Sequence, residues 1–272
     1  MWRALAEVVL LGIGVMLVIV GLRGSGGSGS GNGVSAQPVV PPVSVSPTAV
    51  AKLPLATTFT RTPAAPLDQD PFAVTDGVVV HPLTQQVVYA APGRQAVAVL
   101  PATQLGGPTW VPVVQSSPGW YQVLLPSRPD RATGWLFTGG TAAAQLEIRQ
   151  SGYLIRVNTG ARTLTVDDNG KSLGTWTVAV GAPSTPTPPG RTFVLALVAP
   201  PQPAYSPLIL PLGTHSNTFS TFGGGPGTVG LHGWPDPAVF GRAVSNGCVR
   251  VPATALHLLA IVPLGTLVVI TQ

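Results

Sequence analysis

The distribution of apolar and polar positions divides the chain into three regimes. The first is one apolar run, Val8 to Leu22, in "MWRALAEVVLLGIGVMLVIVGLRG", with Arg3 before it and Arg23 after it. That length is close to the ~20 residues that span a bilayer, so residues 1–23 are expected to form a single transmembrane signal anchor. A cleaved signal peptide is the alternative, but the nearest small-residue site, Val34-Ser35-Ala36, lies well downstream of the run. With Arg3 held inside, the rest of the chain faces the extracytoplasmic side.

The second regime, residues 24–74, has no periodicity. It reads "GSGGSGSGNG", then "PVVPPVSVSPT", then a mixed Pro/Thr/Ala tract. Gly/Ser sequence is flexible coil and Pro-rich sequence a stiffer extended spacer, so a disordered linker without a packed core is expected. In the third regime short β-branched runs alternate with turn residues. Over residues 75–140 these are "GVVVHPL", "QQVVYAAPG", "QAVAVLPAT", "TWVPVVQSSPG", "WYQVLLPSRPD" and "ATGWLFT", which predict a small all-β barrel or sandwich. Trp110, Trp120 and Trp135 are expected to serve core or hairpin packing, with ligand stacking as the other reading.

Over residues 146–272 the pattern stays β, through "YLIRVNT", "RTLTVDD", "GKSLGTWTVAVG", "RTFVLALVAP", "LILPLG", "TVGLHG" and "GTLVVITQ". "DDNGK" predicts a hairpin, with Asn169-Gly170 supplying the positive φ of a tight turn. One helix is expected in "PATALHLLAIV", with Pro252 at its first turn and apolar residues at helical spacing. His257 on that helix is assigned to packing or surface. The fold class is therefore mainly β.

Composition sharpens this reading in two places. Charged residues make up 8% of the 272 and the net charge is +5; no basic stripe is interleaved with aromatics, so nucleic acid is not expected as a partner. Cys248 is the sole cysteine, so no disulfide framework exists, and a lone thiol on an exported chain is either inert or reactive. The four histidines are scattered and lack paired ligands, so neither a metal site nor a cofactor is expected.

Chemistry concentrates in "VGLHGW" and "SNGCVR". A cysteine is a useful nucleophile when a histidine or backbone donors assist its ionisation, and His232, at the end of a short apolar strand, is the candidate base. Gly247 allows close backbone approach, so that N–H groups of Gly247 and Cys248 are expected to face an oxyanion. Arg250, two residues on and on the same side of an extended segment, is a candidate partner for a substrate carboxylate.

"LHG" followed by "SNGCVR", preceded by "VAVGAPSTPTPPGRTFV" and closed by "PLGTLVVI", resembles the L,D-transpeptidase, or YkuD-type, catalytic domain over about residues 146–272. The resemblance implies a β-sandwich-type domain that forms 3→3 peptidoglycan cross-links through a cysteine thioester, with release of D-alanine. It assigns Cys248 as nucleophile, His232 as base and Gly233 as the residue whose carbonyl steadies the ring. Ser245, Asn246 and His215 fall along the expected substrate groove. The family commonly has histidine where this chain has Asn246, so His232 is expected to act without a second imidazole. "GWYQVLLP" and "GWLFT" resemble a bacterial SH3-like wall-binding module, expected over residues 75–140. Implied partners are donor and acceptor stem peptides, the membrane, and carbapenem-type covalent inhibitors, at a location on the wall side of the cell membrane. The alternatives are an L,D-carboxypeptidase that trims tetrapeptide stems, a non-catalytic wall-binding protein, and an amidase or thiol protease of unrelated fold.

Overall fold

The computed structural model describes residues 38–202, 204–222 and 225–272. The expected anchor over residues 1–23 and the Gly/Ser tract after it lie outside the described residues. Among the described residues, no helix is long and apolar enough to cross a membrane.

The first β region forms a sheet of seven strands in the order Ala96–Leu100, Gln86–Tyr89, Thr133–Phe137, Trp120–Leu124, Val111–Ser117, Val78–Pro82, Leu146–Gln150, antiparallel at every pairing. Its short β-branched runs put Val80, Val88, Val97, Val111, Val123 and Leu136 into one apolar core. Trp120 is 1% exposed and meets Tyr89 and Phe137 edge-on. Trp110 and Trp135 are buried as well, so all three indoles are packing residues.

The second region is layered. A five-stranded sheet runs Lys171–Thr177, Thr163–Asp168, Tyr153–Asn158, Leu267–Thr271, Gly190–Phe193, and a three-stranded sheet runs Ile209–His215, Thr228–Gly233, Val249–Val251. Strands Tyr153–Asn158 and Leu267–Thr271 are parallel neighbours. Their side chains alternate between two cores: Ile155, Val157, Val268 and Ile270 face the three-stranded sheet, while Leu154, Leu267 and Val269 join the core of the first region. Burial on both faces explains why "TLVVIT" reads as unbroken apolar sequence. Helix Ala253–Leu259 buries Ala255, Leu256 and Leu259. The hairpin turn falls at Asn169 (φ 49°) and Gly170 (φ 78°), between the paired Asp168 and Lys171.

The expected disorder over residues 24–74 does not hold from residue 38 onward. Val40 O accepts from Trp120 Nε1 at 2.7 Å, and Val43 O accepts from Tyr89 Oη at 3.2 Å. Leu55 bridges to Val99, Arg61 to Arg128 and Leu67 to Ala132, while Ala56, Thr58, Thr62, Ala65 and Asp68 are buried. Asp68 and Arg191 form a buried two-point ion pair at 2.7 Å and 2.7 Å, with Arg191 Nη1 donating to Ala73 O as well. Proline-rich sequence made the segment look like a spacer. Such a chain carries fewer N–H groups that need partners, which also suits it to lie extended over two β layers as a strap.

Candidate functional site

The central strand of the three-stranded sheet, Thr228–Gly233, carries His232. It pairs antiparallel with Ile209–His215, Ile209 opposite His232, and parallel with Val249–Val251, Leu231 opposite Val249 and His232 opposite Arg250. Cys248 immediately precedes that last strand, so the register sets it beside Gly230, two residues from His232 on the adjacent strand. Cys248 and His232 line a cavity of about 420 Å³ together with Tyr205, Gly230, Thr228 and Thr58.

His232 is 5% exposed, and its Nδ1 lies 2.7 Å from Gly233 O. A carbonyl oxygen accepts and never donates, so Nδ1 carries the proton and the Nε2 lone pair is left as the basic site. Gly233 is anchored in turn: its N–H donates to Ser206 Oγ at 2.7 Å, and Ser206 Oγ donates to Leu208 O. Tyr205 packs its ring edge-on against His232 at 4.9 Å. The Arg250 guanidinium lies 3.5 Å over the Trp234 ring.

The turn before Cys248 is fixed by hydroxyls. Ser245 Oγ donates to Cys248 O and accepts from Gly247 N at 3.2 Å. Gly247, at φ 114°, turns its carbonyl to Thr187 Oγ1 at 2.8 Å. A side chain there would be strained by the positive φ. These bonds correct two expectations. The Gly247 N–H is already committed to Ser245, so it does not stand ready for an oxyanion, and Ser245 holds the turn together where a substrate-binding residue was expected. Asn246 is exposed on the turn and does not line the cavity.

His215 is also corrected. It is 0% exposed and belongs to no groove: its Nδ1 and backbone N both reach Asp130 Oδ1 at 2.9 Å, and its Nε2 meets Thr58. Arg250 remains beside the site, acting on Cys248 and His232 through its charge.

Electrostatically the site favours neutral partners. Burial pushes the Cys248 thiol above its ordinary value of 9.0, opposed by the Gly230 backbone hydrogen bond and the Arg250 charge. Burial lowers His232, opposed by its bond to Gly233 and assisted by Arg250. Tyr205 is raised by burial and by the charge a Cys248 thiolate would carry. Desolvation therefore wins over pairing. The arrangement is a neutral thiol beside a neutral imidazole with a free lone pair, suited to a nucleophile that loses its proton as it attacks. Among the described residues no cluster of three or more His, Cys, Asp or Glu is placed to hold a metal ion.

Sequence motifs did not point to Tyr205, Ser206 or Thr58, and they gave no role to Thr228, Gly230 or Trp234, although these flank His232 in "TVGLHGW". The first two sit in a loop without periodicity, and Gly230 acts through its backbone. Thr58 lies in the strap that composition marked as linker.

A β domain with a thiol and an imidazole lining one cavity from adjacent strands defines a class of cysteine-centred sites. Residues 152–270 match the YkuD family model, the L,D-transpeptidase catalytic domain. The chain is 33% identical over 121 residues to "Putative L,D-transpeptidase YkuD" of Bacillus subtilis (strain 168), and 32% identical over 120 residues to the protein of the same name from Bacillus licheniformis. Each alignment covers 44% of this chain and 66% of the relative, just under two thirds of its length. An L,D-transpeptidase from Mycobacterium smegmatis aligns over 60% of this chain and 99% of its own, at 16% identity and TM-score 0.38.

Proposed function

We propose that this chain is a peptidoglycan L,D-transpeptidase, with Cys248 as nucleophile and His232 as base. The observation that carries the reading is the shared cavity, in which His232 keeps its proton on Nδ1 and its lone pair on Nε2. The thiol attacks the carbonyl joining the third stem residue to the terminal D-alanine, and its proton passes to His232 Nε2. The tetrahedral intermediate collapses: the C–N bond breaks, the imidazolium returns the proton to the departing amine, and a thioester remains on Cys248. An amine of a neighbouring stem then attacks the thioester and His232 takes its proton; the C–S bond breaks, the imidazolium returns the proton to the leaving Cys248 thiolate, and a 3→3 cross-link forms with the thiol regenerated. Water in place of that amine yields a trimmed stem, the L,D-carboxypeptidase reaction. The Cys248 N–H is the remaining candidate for the oxyanion, since that of Gly247 is committed.

The apolar run Val8 to Leu22 supports a membrane-anchored protein whose β regions face the wall, and the seven-stranded region is read as the SH3-like module of the same protein. Incubation of the full-length chain with a tetrapeptide-stem muropeptide tests the reading by mass spectrometry. Dimer and free D-alanine are expected from wild type and neither from Cys248→Ala; a carbapenem adduct is expected on Cys248 alone. Turnover retained in Cys248→Ala overturns it.

A further inference from the structure

Tyr89, Trp120, Trp135 and Phe137 gather on one face of three adjacent strands of the seven-stranded sheet, Tyr89 opposite Trp135 and Trp120 opposite Phe137. Their chain neighbours Val88 and Leu136 point into the apolar core, so the rings stand on the other side of the sheet. A row of large rings on the outer face of a sheet calls for a cover. That cover is "PVVPPVSV", residues 38–45: Val45 packs into the aromatic cluster, and Trp120 beneath the segment is the most deeply buried of the rings.

This segment is held differently from the rest of the strap. Further on, the strap is built into the fold: Ala56 N donates to Val99 O and Thr62 N to Arg128 O, and Ala56, Thr58, Thr62 and Ala65 are buried. Residues 38–45 make no backbone–backbone hydrogen bond among the described residues, and Val39, Val40 and Val43 are half-exposed. Their ties are two side-chain donors to bare carbonyls, Trp120 Nε1 to Val40 O at 2.7 Å and Tyr89 Oη to Val43 O at 3.2 Å. These carbonyls are three residues apart, and so are Pro42 and Val45, the partly buried side chains of the segment. A period of three is that of the polyproline II helix, which Pro38, Pro41 and Pro42 favour in advance and which leaves every carbonyl free to accept. Two glycines let the segment lie close: a Cβ on Gly93 would stand 2.7 Å from Val40 Cγ1, and one on Gly119 2.5 Å from Val39 Cγ1. Aromatic donors, a period-three chain and bare glycines beneath it are the features of a groove that reads a peptide.

We propose that this aromatic face is a recognition site for extended proline-rich peptide, and that residues 38–45 are its resident ligand, bound in cis and able to leave while the rest of the strap stays in place. Trp120 and Tyr89 read the backbone carbonyls, and the bare backbone at Gly93 and Gly119 admits the β-branched side chains of Val40 and Val39. Such a site discriminates by backbone shape: a proline-rich chain has already lost much of the freedom that docking costs, whereas a glycine-rich chain of the same length has not. The tether keeps the resident segment at an effective concentration on the order of millimolar, so a second proline-rich segment enters only as the resident one is displaced. Its departure leaves the Cys248 cavity intact, since none of residues 38–45 lines it, and the peptide site is independent of the reaction proposed above.

The test uses the full-length chain and two full-length variants, Tyr89→Phe and a chain whose residues 38–45 are replaced by Gly/Ser of the same length. The probe is a fluorescently labelled peptide of sequence PVVPPVSV, read by anisotropy. The replaced chain should bind this peptide, wild type should bind it about tenfold or more weakly because its own segment competes, and the peptide with its prolines changed to glycine should not bind the replaced chain. Tyr89→Phe keeps the ring and removes one hydrogen bond to the segment. Hydrogen exchange at the Trp120 indole N–H, donated to Val40 O, should then be up to about tenfold faster than in wild type, while Cys248 is alkylated by iodoacetamide at the wild-type rate. That arm needs only a conservative variant and stands whether or not the replaced chain folds. Equal binding of the proline and glycine peptides, wild type binding as tightly as the replaced chain, no binding by a replaced chain that melts cooperatively, or an unchanged Trp120 exchange rate in Tyr89→Phe overturns the proposal.

Discussion

His232 and Cys248 are each held in surroundings that disfavour their charged forms, and this decides how the site should respond to pH. His232 titrates below its ordinary 6.5 in the folded chain, so the unfolded chain binds the proton first and stability falls as pH drops below 6.5. Cys248 titrates above 9.0, so the unfolded chain loses its proton first and stability falls as pH rises past 9.0. Thermal melts across pH should therefore show an alkaline decline that is shallower in Cys248→Ala than in wild type; parallel curves would remove the thiol as its cause. The same neutrality separates two roles of His232. Because the resting ring is uncharged, His232→Gln should slow acylation about a hundredfold or more through loss of the base, while iodoacetamide alkylation well above pH 9.0 should change little. Arg250→Gln acts in the other way: without its charge both the thiol and His232 titrate higher, so the pH profile of alkylation moves upward, and an unmoved profile would take Arg250 out of the electrostatics. The motif made it legible that Cys248 and His232 would share one cavity, because both sit in short stretches with characteristic glycine neighbours. His215 was misassigned to the substrate groove because the resemblance placed its segment there, and nothing in that stretch reveals Asp130, 85 residues away.

At the level of elements, legibility tracks how local the cause of each structure is. The Asn169-Gly170 hairpin and the helix Ala253–Leu259 depend on neighbours in sequence, and both are visible there. Strand Leu267–Thr271 is visible as an apolar run, but its place between two cores is not, since the run is the same whether one layer or two cover it. The strap was illegible because it has no core of its own and is ordered by what it covers. Its strongest tie is the Asp68–Arg191 pair, with side chains 2% and 5% exposed. Removing one partner of a buried pair strands the other charge and costs about 3–5 kcal/mol. Asp68→Asn should lower the melting temperature strongly, and Asp68→Asn combined with Arg191→Met less than the sum of the two single changes. Additive effects would mean that the two groups act independently of each other.

For the whole molecule, the strap changes what counts as the unit that builds the Cys248 cavity. The family match begins at residue 152, yet Thr58 and Phe59 of the strap and Leu105 of the seven-stranded region line the cavity that contains Cys248, and Leu154, Phe193, Leu267 and Val269 share a core with that region. A fragment starting at residue 146 would expose that apolar face and open one wall of the site. A chain starting at residue 75 would keep the seven strands but lose Asp68 opposite Arg191, the Ala56 and Thr62 backbone bonds to Val99 and Arg128, and Thr58 beside His215. A chain starting at residue 38 retains every contact described above. The expected order of thermal stability is therefore residue 38 well above residue 75, with the 146 start aggregating, and Cys248 acylation by a carbapenem should follow the same order. Equal melting temperatures and equal acylation rates for the 38 and 75 starts would show that the strap covers the two β regions without supporting them, and would return it to the spacer that its proline content suggests.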